Sequence, residues 1–404
     1  MRNVHRYLAL LALIGALLLG RAVAGTGNSF IETDLVANLA SLTFKNGIVH
    51  QALLVDPNLK NAWGITSTPA SPIWISDNNN GTSTLYRLQA PQFAPAIVPL
   101  VVSIPAPGDP LGTGGTPTGI VFNIAFGQGA FKISGFAKDG TPASAPAVFL
   151  FATEDGTILG WNPGVNPPGF DPAKAGTYAI IAVDNSATPS AAEGAVYKGL
   201  AIATDPTGTT LLYATNFRAG TVEAYNISFG PASLSKGAFT DQGLPPLPHG
   251  YAPFNIVPVT VNGTNKLFVT YAVQNAEKHD DVAGESHGIV DTFDLSGTMP
   301  ARFAQHGQLN SPWGVTLAPA SFGQFAGKLL IGNFGNGHIN VFDPATGEFL
   351  DKLLDPSGEA IVIDGLWALR VGNGGNGGDP KKVYFTAGPN DETNGLFGSL
   401  APSP

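Results

Sequence analysis

Six turns that each run into a small residue and then an aliphatic one, the Asn/Gly hairpins that follow them, and a last repeat one strand short together predict an all-β chain. The fold they predict is a six-bladed β-propeller closed by an N-terminal strand that completes the last blade. Composition agrees: 51 Gly and 33 Pro with only 12% charged residues suit many short strands joined by tight turns.

The N-terminus reads as an export signal. Arg2 and Arg6 precede the apolar run Leu8–Leu19, which at twelve residues is shorter than the roughly 20 that a membrane-spanning helix needs. Ala22-Val23-Ala24 ends it with small residues at the positions a signal peptidase reads. Residues 1–24 are therefore expected to be a signal peptide, 25–60 an N-terminal segment bearing the closing strand, and 61–404 the rest of one propeller domain. Export to the periplasm or medium follows, with no membrane span after cleavage. The chain has no cysteine, so its core must hold the fold without disulfides. Losing residues 1–24 removes three arginines and no acid, which takes the net charge from −9 to −12. An acidic surface with no basic stripe argues against nucleic acid as a partner. A monomer is expected.

The six openings are Ala62-Trp63-Gly64-Ile65, Pro117-Thr118-Gly119-Ile120, Tyr197-Lys198-Gly199-Leu200, Pro253-Phe254-Asn255-Ile256, Pro312-Trp313-Gly314-Val315 and Ile363-Asp364-Gly365-Leu366. Their spacing averages about 60 residues, and an insertion at Ala125–Ala147 explains the long second interval. Hairpins follow, such as Pro72–Ser76 with Ser83–Leu88, Leu211–Thr215 with Thr221–Asn226, and Lys328–Ile331 with His338–Asp343. Their turns are rich in Asn and Gly, the residues that tolerate positive φ. Outer strands are expected at Val98–Ile104, Tyr178–Val183, Ser235–Thr240, Arg302–Gln305 and Glu348–Leu353. The sixth repeat lacks one, and Phe30–Ala37 can supply it, which would hide two sheet edges.

In such a ring the turns opening the innermost strands share a face with the hairpin turns. That face is where a site is expected, with Asn78, Asp155, Asn216, His279–His287, Asn333 and Asn390–Asp391 in the hairpin turns. The ligand-binding candidates are Trp63, Asn78, Lys198, Asn216, Trp313, Asn333 and Asp364, with Lys198 and Asp364 placed to face each other across the mouth. The fourth hairpin turn, Glu277–His287, is the densest polar cluster. Carboxylates there suit a hard cation such as Ca²⁺, and imidazoles a transition ion. The metal candidates are Asn255, Asp364, His279, Asp280, Asp281 and His287. Six-bladed lactonases hold Ca²⁺ on the axis, but the acid they use at the first opening is missing from Asn61-Ala62-Trp63. No Gly-x-Ser-x-Gly elbow signals a serine nucleophile.

The stretches Asp56–Ile65, Lys278–Gly284, Gly332–Gly335, Gly372–Pro380 and Tyr384–Pro389 resemble a family of uncharacterised exported bacterial proteins read as NHL-like propellers. The resemblance implies fold and export, and no activity. Members with a sorting tail end in a hydrophobic span, whereas this sequence ends at Ala401-Pro402-Ser403-Pro404. Two functional expectations follow. One is a non-catalytic module that binds a small molecule, glycan or protein through its turn-lined face, with no certain cofactor. The other is a Ca²⁺-type metal-dependent lactonase or esterase at the axis.

Overall fold

The structure, a computed structural model, describes residues 29–404; the expected signal peptide and its cleavage after Ala24 lie outside the described residues. Six antiparallel sheets follow one another along the chain. Blade one comprises Ala62–Thr66, Ile73–Asp77, Thr82–Leu88 and Pro95–Ser103. Blade two has Pro117–Phe122 innermost, then Phe149–Thr153, Thr157–Trp161 and Ile180–Asp184. The insertion in blade two is a separate hairpin, Lys132–Phe136 with Pro142–Pro146. Blade four is built from Tyr251–Val261, Thr264–Val273, Ile289–Phe293 and Ala301–Gln305, and blade five from Pro312–Leu317, Leu329–Asn333, Ile339–Phe342 and Phe349–Lys352.

Blade three departs from expectation. It has three strands, Tyr197–Thr204, Thr210–Asn216 and Thr221–Tyr225, and Ser235–Thr240 is not a fourth. Lys236–Phe239 is a turn, and Phe239 leaves the blade edge to pack edge-on against Tyr213, with ring centroids 5.9 Å apart, and beside Phe293 at 5.3 Å. Filling the gap between blades three and four with an aromatic ring takes precedence over extending the sheet.

Blade six is closed as the sequence predicts. Leu366–Val371, Val383–Ala387 and Leu396–Pro402 are joined by the N-terminal strand Phe30–Ala37, which pairs antiparallel with the last of them from Phe30↔Pro402 to Ala37↔Leu396. Leu54–Val55 adds a short parallel edge to it. Residues 42–50 fold back over this strand: His50 Nδ1 lies 3.0 Å from Asp34, and its ring stacks on Phe44.

The apolar interior divides into six clusters, one between each neighbouring pair of blades. A blade is covered on both faces, so its middle strands (Ile73–Asp77, Phe149–Thr153, Leu329–Asn333, Val383–Ala387) are buried along their whole length. This explains why they read as continuous apolar runs and not as alternating ones. The closing strand serves two clusters at once. Phe30 and Ala37 enter the core between blades five and six, where Phe30 stacks on Phe322 and Phe325; Leu35 and Val36 enter the core between blades six and one.

Deleting residues 30–37 is therefore expected to abolish cooperative folding. Phe30→Ala alone should cost about 3–5 kcal/mol, as for other fully buried aromatics. Thermal melts of both variants check this, and a deletion that melts like the parent would contradict ring closure.

Candidate functional site

The site is set by a local feature of the innermost strands. Pairing registers slip between Ala62 and Ile65, Tyr197 and Gly199, Pro253 and Asn255, Pro312 and Gly314, and Leu366 and Leu369. A bulge of this kind re-aims the side chain at its apex. The residue after each apex packs on the next blade: a Cβ on Gly64 would lie 2.3 Å from the Thr118 carbonyl oxygen, and one on Gly119 2.5 Å from the Leu200 amide. In the fourth repeat Asn255 takes this place, and its Nδ2 donates to the Trp313 carbonyl (2.7 Å).

The apex residues are Trp63, Thr118, Lys198, Phe254, Trp313 and Trp367. The sixth is thus Trp367, three residues past the expected Asp364. Gly365 is a turn glycine at φ 65°, the strand begins at Leu366, and Ala368 takes the position of the strand glycine. Lys198 and Asp364 do not face each other as a pair. Asp364 accepts from the Asn390 amide (2.8 Å), while Lys198 turns to other acids.

The aromatic apices close the axis. Trp63 and Trp367 stack with centroids 3.6 Å apart, Trp313 meets both edge-on at 6.4 and 6.0 Å, and Phe334 stacks on the other side of Trp367 at 3.9 Å. All three tryptophans are buried. On this floor lies the Lys198 ammonium, 5.1 Å from the Trp63 ring centroid and 5.9 Å from that of Phe217, within reach of a cation–π attraction.

Hairpin turns supply the walls, one residue from each blade: Asn78, Glu154, Phe217, Asp280, Phe334 and Glu392. Lys198 Nζ donates to Glu154 Oε1 and to Asp280 Oδ1 (3.1 Å). Asn78 Nδ2 donates to Glu154 Oε2 (2.8 Å), and Asn61 Nδ2 to Glu392 Oε2 (2.6 Å) and Asn78 Oδ1 (3.3 Å). Trp367 Nε1 donates to Asn61 Oδ1 (2.8 Å), tying the polar layer to the floor. Asn390, Asp391 and Glu392 take positive φ in succession, at 58°, 54° and 64°. Such backbone is costly outside glycine, and here it brings Glu392 to the mouth.

Electrostatics separates the acids. Burial pushes the Glu392 carboxyl up to about 7, the neighbouring Glu154 adding to this against the opposing pull of Lys198 and Asn61. Burial alone would lower the Lys198 ammonium, but Glu154 and Asp280 hold it above its ordinary value, so it stays charged. Asp280 is held well below the usual carboxylate range by its hydrogen bond from His279 and by Lys198. Asp281 is half-buried, and desolvation pushes its carboxyl up.

The other sequence candidates are structural in their contacts. Asn216 donates to Glu223 (2.7 Å) and accepts from the Ala219 amide, and Asn333 donates to the Gln308 carbonyl (2.7 Å). Asn255 is committed to backbone on both sides of its amide. His279 and His287 are not brought together: His287 Nδ1 lies 3.0 Å from the Val282 carbonyl, whereas His279 joins Glu154 and Asp280, whose donor atoms lie within 4.8 Å of one another. Lys198 already donates to one oxygen of Glu154 and one of Asp280, and Asn78 to the other oxygen of Glu154, so this donor set is not a free cation cage. Sequence reasoning missed Glu154, Glu392 and Trp367. The first two neighbour the expected turn residues Asp155 and Asp391, so the signal was present and off by one position.

Converting Glu392 to Gln tests the electrostatics. A folded value near 7 against an ordinary 4.5 means the acid destabilises the fold progressively as pH rises through that interval. Glu392→Gln should match the parent at pH 4 and be more stable at pH 8 by on the order of 2 kcal/mol, after allowing for partial exposure. Chemical denaturation at the two pH values checks this.

No family model matches the chain. Two uncharacterized proteins of Acanthamoeba polyphaga mimivirus are similar to it: R648, 28% identical over 87% of this chain and 77% of that protein, and L690, 30% identical over 85% of this chain and 81% of that protein. Among solved structures, the PQQ-bound aldose sugar dehydrogenase from Streptomyces coelicolor covers 93% of this chain and 98% of its own at 11% identity and a TM-score of 0.46. At that level the likeness carries nothing about chemistry, and the blade count rests on the chain's own strand pairing. The relatives are viral, so the bacterial source suggested by the sequence resemblance does not follow from them. With L690 related along most of both chains, this chain belongs to the same family as L690.

Proposed function

We infer that the protein is an exported binding module whose hairpin-side mouth holds a small ligand carrying a positive charge and several hydrogen-bond donors, of the basic-amine or amino-sugar class. The observation that carries this reading is the imbalance of charge at the mouth, where Lys198 and Glu154 are buried and Asp280 is exposed. Three carboxyl groups, Glu154, Asp280 and Glu392, stand around one ammonium. Lys198 satisfies two of them, and Glu392, raised to about 7 by burial, relieves part of the excess by taking up a proton near neutral pH. A ligand cation would relieve it instead, in a setting of low dielectric where a charge-assisted hydrogen bond is strong.

Export rests on the N-terminal sequence. Binding is preferred to catalysis because Lys198, fixed as an ammonium between two carboxylates, is removed as a nucleophile or base. Metal-dependent hydrolysis is the weaker reading, since Lys198 competes with any ion for the oxygens of Glu154 and Asp280. A neutral glycan would gain nothing from the charge, and the Asn61 and Asn78 amides are already engaged inside the protein.

Glucosamine oligomers are expected to bind at least about tenfold more tightly than their N-acetylated counterparts, a charge-assisted contact being worth 1.5–3 kcal/mol. Glu154→Gln should erase the preference. Calorimetric titration of both sugar series checks it. Equal affinities, or a preference that survives Glu154→Gln, would sink the reading.

A further inference from the structure

The aromatic plug divides the axis, and the opposite side holds a second cavity. It has a volume of about 560 Å³ and is lined by the lower halves of the innermost strands of all six blades. Ile65, Ile120, Ile256, Val315 and Leu369 give it an apolar wall. Arg370 is the one charged residue in its lining.

Arg370 is without an acid. Among the described residues no carboxylate lies within ion-pair distance of it. Its Nη2 donates to Ser67 Oγ (3.0 Å) and the Ser67 carbonyl (3.3 Å), and its Nε is buried with no acceptor. Burial lowers the guanidinium to about 10, so it remains a cation at neutral pH. In a chain with net charge −9, a half-buried cation with no acid beside it, at the end of an apolar cavity, needs an explanation. Ser67 is itself held by Asn373 Nδ2 (3.2 Å), so the arginine is positioned by a fixed loop.

We propose that this cavity is a second binding site, separate from the hairpin-side mouth, for a small apolar monocarboxylate whose carboxylate pairs with Arg370 and whose hydrocarbon part lies against the aliphatic wall. The volume falls in the range of small-molecule sites, with apolar walls and one orienting polar group. A guanidinium presents a planar fork that matches a carboxylate, which a hydroxyl or ester cannot replace. The plug of Trp63, Trp313 and Trp367 keeps the ligand from reaching Lys198.

The test is calorimetric titration of the full chain with hexanoate, octanoate and phenylacetate, and with the methyl ester of each. The acids should bind at least about tenfold more tightly than the esters, and affinity should rise from hexanoate to octanoate. Arg370→Met should bring acid and ester to the same affinity, and Arg370→Lys should restore part of the difference. Saturating the protein with a glucosamine oligomer should leave carboxylate binding unchanged, which separates this site from the mouth. Acid and ester binding equally to the parent protein, which requires no variant to fold, would overturn the proposal, as would no saturable binding of any acid at millimolar concentration.

Discussion

The pairing of Phe30–Ala37 with Leu396–Pro402 is the constraint on which the rest depends. The six cores fill the joints between neighbouring blades, and the one between blades six and one runs on into the axial aromatic layer, so a blade six without its closing strand would expose the cores on both of its faces. A chain without cysteine has no covalent means of shutting that joint. The closing strand does so with backbone hydrogen bonds along its length and with Phe30, Leu35, Val36 and Ala37 shared between the two cores that flank blade six. Because contacts between the first and last residues must form, much of the ring's stability arrives only when both termini meet.

Closure also fixes what the axis can do. Once six inner strands converge, the bulge in each one aims its apex residue at the centre, and the chemistry of the two faces follows from which six residues stand there. Three tryptophans and a phenylalanine fill the axis, and Lys198, the one cation, is caught among hairpin-turn acids above them. The same plug isolates the cavity below. A polar, acid-rich mouth and an apolar cavity with a lone guanidinium are thus two consequences of one aromatic layer.

Much of the fold was legible because its signals are local. Gly and Asn at turns, strand openings about 60 residues apart, and a spare strand at Phe30–Ala37 each follow from backbone geometry. The missing outer strand of blade three was not legible, since the destination of Phe239 depends on a gap between blades that no periodicity reports. At the site the sequence located the correct turns but not the residues that point inward. Glu154 and Glu392 were displaced by one position from the expected ones, because turn glycines and asparagines mark where the chain reverses and not which side chain faces the axis. Asp364 was chosen for the same reason: Gly365 looks like the glycine of an inner strand but belongs to the turn before it. Arg370 carried no sequence signal, since what distinguishes it is the absence of an acid in three dimensions.

In the proposed mode of binding, a ligand cation displaces the proton that crowded carboxyl groups at the mouth hold on Glu392. A ¹³C-carboxyl NMR titration of Glu392, with and without a bound glucosamine oligomer, addresses it most directly. A midpoint near 7 is expected in the free protein, falling toward the ordinary carboxylate range when the ligand is bound. A Glu392 carboxyl that titrates in the ordinary range in both states would contradict it.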